Sequence, residues 1–206
     1  SPGQYGSNTQ ASISPKQSRF GAMGTLPAQG HNLSTKLEFD FFGVGVDEGQ
    51  VTIRLRHAYG EWWQWLAGQT HSLFMDIDVF PNIIDYWGPC GMVFLRTPQL
   101  RWTPFSGDYS FAVAIEKADT NIDPGNARQL DPNLGANLQN DEKLPDLTAQ
   151  FRANRSWGHI QIAGILRRLG FDTLGTADNI PKAHAVGWGF DLTSTVQMFK
   201  KDKLYL

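Results

Sequence analysis

Gln50-Val-Thr-Ile-Arg-Leu-Arg-His-Ala-Tyr59 is the stretch from which the fold class follows. On an extended backbone successive side chains leave on opposite faces. Val51, Ile53 and Leu55 therefore share one face, and Thr52, Arg54 and Arg56 share the other. Arginines facing a dry core would need a partner for every charge. They fit a strand whose apolar face meets lipid and whose charged face meets water. The same parity assigns His57 to the lipid side or a subunit interface, as a stacked structural histidine.

The alternation recurs. Leu37, Phe39 and Phe41 alternate with Lys36, Glu38 and Asp40, and Phe111, Val113 and Ile115 with Ala112, Ala114 and Glu116. Further on, Leu147, Ala149 and Phe151 alternate with Thr148, Gln150 and Arg152, Ile160 and Ile162 with His159 and Gln161, and Trp188 and Phe190 with Gly187, Gly189 and Asp191. Segments of roughly ten residues with this period, separated by turns, mark a transmembrane β-barrel. Strands are predicted at 18–26, 33–42, 51–60, 63–70, 92–103, 108–117, 147–155, 159–169 and 183–193. The connections between them alternate short and long along the chain, with 60–62 taken as one of the short ones. Outer-membrane barrels do this because periplasmic turns are tight and external loops extended. Tyr59, Trp62, Trp63, Trp65, Phe105, Tyr109 and Trp157 lie beside the short turns, as an aromatic girdle at the periplasmic rim would.

Composition is compatible with this. The 206 residues carry a net charge of −2, which leaves no nucleic-acid footprint. Mean hydropathy is −0.33, but a barrel hides its apolar residues in alternation. No run of apolar residues is long enough for a transmembrane helix. The start, Ser1-Pro-Gly-Gln4, lacks the basic and apolar regions of a signal peptide. The single Cys90 excludes an internal disulfide and a cysteine metal cluster. About nine strands is an odd count where bacterial single-chain barrels have even ones. The chain is therefore expected to be one porin-type domain over 1–206, a fragment with about nine or ten strands of a larger antiparallel barrel.

The chain resembles the DcaP-like trimeric porins of Gram-negative outer membranes. The resemblance rests on Gln17-Ser-Arg-Phe-Gly21, Glu38-Phe-Asp-Phe-Phe-Gly43, Leu55-Arg-His-Ala-Tyr-Gly-Glu61, Gly68-Gln-Thr70 and Phe74-Met-Asp-Ile-Asp78. Gly88-Pro89, Val93-Phe-Leu-Arg96 with Pro98-Gln99, and Trp157-Gly-His-Ile-Gln161 continue it in the family's order. It implies an outer-membrane channel of about sixteen strands, of which this chain supplies the second to about the tenth. It also implies a homotrimer in contact with outer-membrane lipid, and small anions, dicarboxylates above all, as solutes. The family's first strand, N-terminal coiled-coil segment and last strands have no counterpart in these residues.

Two constellations follow from the pattern. Arg54, Arg56, Arg101, Arg152 and Arg167 all fall on polar strand faces and would converge on a water channel. Rings of arginine select anions, and a narrow lumen focuses their field. Alternatively they pair with Glu38, Asp40, Glu116 and Asp191 and brace the wall. The connection 71–91 is too apolar to float in water, with Leu73, Phe74, Met75, Ile77 and Phe80 among its residues. Folded inward it would constrict the pore, its Asp76, Asp78 and Asp85 facing the arginines across the gap. A surface flap or a trimer contact is the other reading. The connection 118–146 is a long external loop, and 119–125 within it only approaches a calcium loop.

No catalytic motif, metal set or cofactor site is present in the sequence, so the expectation is a channel without cofactor and not an enzyme. A soluble β-sandwich binding carbohydrate on Trp62, Trp63 and Trp65 is the rival. It has no reason to obey the loop parity.

Overall fold

The computed structural model describes residues 13–80, 93–119, 137–199 and 202–206. Among these residues, eleven antiparallel strands form one sheet. They are β1 (Arg19–Ala28), β2 (His31–Phe42), β3 (Val51–Trp62), β4 (Trp65–His71), β5 (Arg96–Phe105), β6 (Tyr109–Glu116), β7 (Leu138–Asn140), β8 (Asp146–Arg155), β9 (Gly158–Thr173), β10 (Ala183–Gln197) and β11 (Lys203–Tyr205). The order is sequential except that β7 pairs with β9 beyond the end of β8. β1 and β11 end the order and do not pair with each other. The strands other than the three-residue β7 and β11 stand at the nine positions expected from alternation.

The connections keep their parity. At one end of the sheet β1 turns into β2 at 29–30, β3 into β4 at 63–64, β5 into β6 at 106–108 and β8 into β9 at 156–157. The long connections 43–50, 72–95, 117–145 and 174–182 all leave from the other end. The first hairpin is tight because Gln29 and Gly30 both take positive φ, 50° and 80°, the primed turn that matches strand twist. The turn expected at 60–62 forms instead at 63–64, with Trp63 in the left-handed region. Gly60 and Trp62 continue the ladder against Ala67 and Trp65.

Burial along each strand is inverted relative to a soluble sheet. On β8, Thr148 is 0% exposed and Leu147 51%; on β9, Gln161 is 1% and Ile162 43%. Trp188 on β10 reaches 81%. The apolar faces look outward, as alternation predicts for Val51, Ile53, Leu55, Val186, Trp188 and Phe190. The polar faces of β6, β8, β9 and β10 are covered by the segment 72–80, which defines the inner side. The small buried apolar cluster of Leu73 with Ala112 and Ala114 lies between that segment and β6.

One parity expectation fails. Glu38 stands opposite His57, yet Phe39 stands opposite Leu55, so Arg56 is the extra residue of a β-bulge. A bulge shifts every later side chain to the other face. Arg56 and His57 are therefore both buried, and His57 Nδ1 lies 3.0 Å from Thr70 Oγ1 rather than in lipid. Tyr59 moves with it, opposite Lys36 and packed edge-on to His57, so it is not part of an outward girdle.

Candidate functional site

The inner face of β2 and β3 carries an ion cluster. Their register places Asp40 opposite Arg54 and leaves Arg56, the bulge residue, between Glu38 and Asp40. Arg54 donates to both Asp40 oxygens, from Nε at 2.9 Å and from Nη2 at 2.6 Å. Arg56 donates from Nε to Glu38 at 2.6 Å and from Nη1 to Asp40 at 2.9 Å. Lys36 stands 3.1 Å from Glu38. This is the bidentate geometry that suits a guanidinium fork to carboxylates. A cavity of about 420 Å³ opens on the cluster, lined further by His57, His71 and Phe94.

The segment after β4 turns onto the inner face of β6, β8, β9 and β10. Asp76 is its anchor. Its carboxylate accepts from Arg152 Nη1 at 3.4 Å and from Thr193 Oγ1 at 2.8 Å, and lies 2.6 Å from His159 Nε2. A carboxylate can only accept, so Nε2 carries the proton there. His159 Nδ1 is 2.9 Å from Thr195 Oγ1. Asp76 also caps the one-turn helix Ile77–Val79 by accepting from the Asp78 amide at 2.9 Å. Asp78 takes a second Arg152 nitrogen at 2.6 Å. Gln161 donates to the Met75 carbonyl, and the Leu73 amide donates to Glu116. Gly189 on β10 leaves room for the Phe74 ring, which a Cβ there would meet at 3.0 Å.

The acid–histidine–hydroxyl line from Asp76 to Thr195 has the residue types of a nucleophile relay. Here Asp76 is shared with Arg152 and Thr193, and Thr195 is buried. The arrangement works as a latch between segment and wall.

All five arginines singled out in the sequence stand on inner faces, but in separate settings. Arg54 and Arg56 share the β2–β3 cluster. Arg152 is ion-paired with Asp76 and Asp78. Arg167 donates to Asp146 at 3.3 Å from Nε and 2.7 Å from Nη2. Arg101 bonds Gln99 at 2.9 Å and the His71 carbonyl at 2.6 Å, and no carboxylate forms an ion pair with it among the described residues. The expected pairings with Glu116 and Asp191 do not form. Glu116 is taken by Thr97, Thr148 and the Leu73 amide. Nor do Asp76 and Asp78 face arginines across a gap, because the segment lies on the wall in contact with Arg152. Asp85, Cys90 and most of 119–125 lie outside the described residues.

Outside the ladder's inner face, Arg168 reaches Asp141 at 2.8 Å and Lys143 reaches it at 3.3 Å. Arg168 above all, then Lys143, holds the Asp141 carboxyl below the usual carboxylate range. At the short-turn end, outward aromatics stack in pairs: Trp65 with Trp102, Phe105 with Phe111, and Tyr109 with Phe151. Their centroids lie 6.2, 6.2 and 6.0 Å apart. Arg155 lies over the Tyr109 ring at 4.3 Å. Trp65, Trp102 and Tyr109 are the amphipathic rings expected at a headgroup level.

The profile of the DcaP outer membrane protein family matches residues 4–193 of this chain. No curated protein matches it. Among solved structures, the outer membrane channel DcaP of Acinetobacter baumannii superposes with a TM-score of 0.73 at 24% identity. The superposition covers 92% of this chain and 50% of that one. This chain thus spans about half the length of that channel, and the likeness shows the fold.

Proposed function

The chain belongs to the DcaP outer membrane protein family, and from that premise we propose that it forms part of the wall of a passive, water-filled channel for small hydrophilic solutes. One observation carries the reading: along the same strands, ionised and amide side chains are buried while large apolar ones are exposed. A soluble carbohydrate-binding sandwich would bury the opposite set. Placing Ile162, Leu166, Trp188 and Phe190 against lipid removes their contact with water, and the buried acids and arginines then border the solute path.

The channel prefers anions, with small dicarboxylates as the solute class. Arg101 supports this, because among the described residues no carboxylate forms an ion pair with it. Beside it, Lys36, Arg54 and Arg56 outnumber Glu38 and Asp40 in the β2–β3 cluster. A low-dielectric wall strengthens that excess. The inward segment 72–80 constricts the path, and 71–91 as a whole is its constriction loop. The complete protein is a homotrimer, with no cofactor and no catalytic role.

The test is the reversal potential of single channels of the full-length protein in a potassium chloride gradient. Anion preference is expected for the wild type. Arg101→Gln and Arg54→Gln should each reduce it, the first by removing a cation that no carboxylate among the described residues pairs with, the second by removing a cation and leaving Asp40 with Arg56 alone. A cation-selective wild type, or equal reversal potentials in all three proteins, would remove the anion reading.

A further inference from the structure

Four buried side-chain polar atoms lack a hydrogen-bond partner among the described residues. Two of them sit on one strand pair: His71 Nε2 on β4 and Arg96 Nη1 on β5. The other two, Thr52 Oγ1 and Gln161 Oε1, lie apart on β3 and β9. His71 and Arg96 are direct register partners, so their Cβ atoms stand roughly 5 Å apart. Both side chains address Phe94. The Arg96 guanidinium lies over that ring at 4.9 Å, and the His71 ring stands 5.9 Å from it. His71 also packs edge-on to His57 at 4.8 Å, and His57 is itself engaged by Thr70. His71, His57 and Phe94 line the cavity that also receives Arg54 and Arg56.

A guanidinium nitrogen buried without a partner is costly, more so than a neutral donor. The nearby carboxylates cannot serve it. Asp40 is shared by Arg54 and Arg56, and Glu38 by Arg56 and Lys36. Arginine and histidine here offer donors without an acceptor, beside an aromatic wall and a surplus of cations. Among the described residues no acceptor completes the set. We propose that His71, on the cavity wall, and Arg96, directly behind the His71–Phe94 side of it, form an oxyanion-binding site that holds the carboxylate or phosphate-type group of a solute on its way through. Arg96 Nη1 and a proton on His71 Nε2 both donate to the oxyanion, and Phe94 packs against the solute's body. This rests on the reading that the path conducts anions.

Single-channel conductance of the full-length protein, measured against potassium acetate activity, tests it. A binding site makes conductance saturate. Arg96→Lys keeps the charge but loses the planar fork, so the half-saturating activity should rise about tenfold while the reversal potential in potassium chloride stays anion-selective. His71→Phe keeps the ring volume and should raise it in the same direction, giving a second readout if the Arg96 variant does not assemble. A wild type that is anion-selective but conducts acetate linearly, or saturation unaltered in the variants, overturns the site alone. A wild type without anion preference overturns the reading beneath it.

Discussion

Replacing Asp76 by alanine should detach the inward segment and raise the single-channel conductance of the full-length protein. Asp76 is the one carboxylate that joins the segment to three strands, through Arg152 on β8, His159 on β9 and Thr193 on β10. It is 4% exposed, so the replacement leaves the buried His159 without its acceptor and Arg152 with the Asp78 carboxylate alone. Leaving a buried hydrogen-bonding group without its partner costs about 1–3 kcal/mol. The remaining anchors are the half-exposed Arg152–Asp78 pair, Gln161 to the Met75 carbonyl and the Leu73 amide to Glu116, and none of them joins β9 and β10 to the segment as Asp76 does. Asp76→Asn keeps the volume and part of the hydrogen bonding, so it should fall between wild type and alanine. Heat-modifiable gel migration would report the loss of barrel stability alongside the current. Unchanged conductance together with unchanged migration would show that the segment does not narrow the path.

Ile162→Arg should abolish efficient insertion, whereas Gln150→Arg should be tolerated. The two residues are on adjacent strands at nearly the same level, since Phe151 pairs with Ile162 and Gln150 with Ala163. They differ in face. Ile162 is four residues, about 13 Å, from the tight turn at Gly158, which puts it near the middle of an apolar band. An arginine facing lipid at that depth costs about 2–4 kcal/mol. On the inner face the same charge meets water. Yield of folded protein after refolding into vesicles separates the two variants. Equal yields would mean that the exposed apolar face is not a lipid face.

Much of this was legible in the sequence. Alternation located each long strand and gave the correct face for Val51, Ile53, Leu55, Arg54 and Arg101. Loop length gave the two ends of the sheet. His57 and Tyr59 came out on the wrong face because a bulge at Arg56 inserts one residue, and nothing in a single sequence marks a bulge without glycine. Simple alternation is blind to such an insertion. β7 was missed because three residues carry no readable period, and β11 showed only as the start of an apolar run at 203–206. The inward segment was visible as an apolar loop, but its anchors were not. His159 and Thr193 were already on polar faces by parity. Their meeting with Asp76 depends on contacts more than eighty residues apart in the chain. The arginines were identified, but their partners were not. Asp146, which holds Arg167, sits at the edge of a long loop where no pattern assigns it to the wall.

The face assignment underlies every functional statement above, and one measurement addresses it directly. In the full-length protein with Cys90 replaced by serine, cysteine is introduced singly at Gln150 or Phe151, neighbours on β8 that parity sends to opposite faces. A charged, membrane-impermeant thiol reagent is then added during single-channel recording. If the polar face borders the solute path, Gln150→Cys loses current on modification and Phe151→Cys keeps it. Loss of current at 151 with none at 150 would contradict the inverted barrel wall.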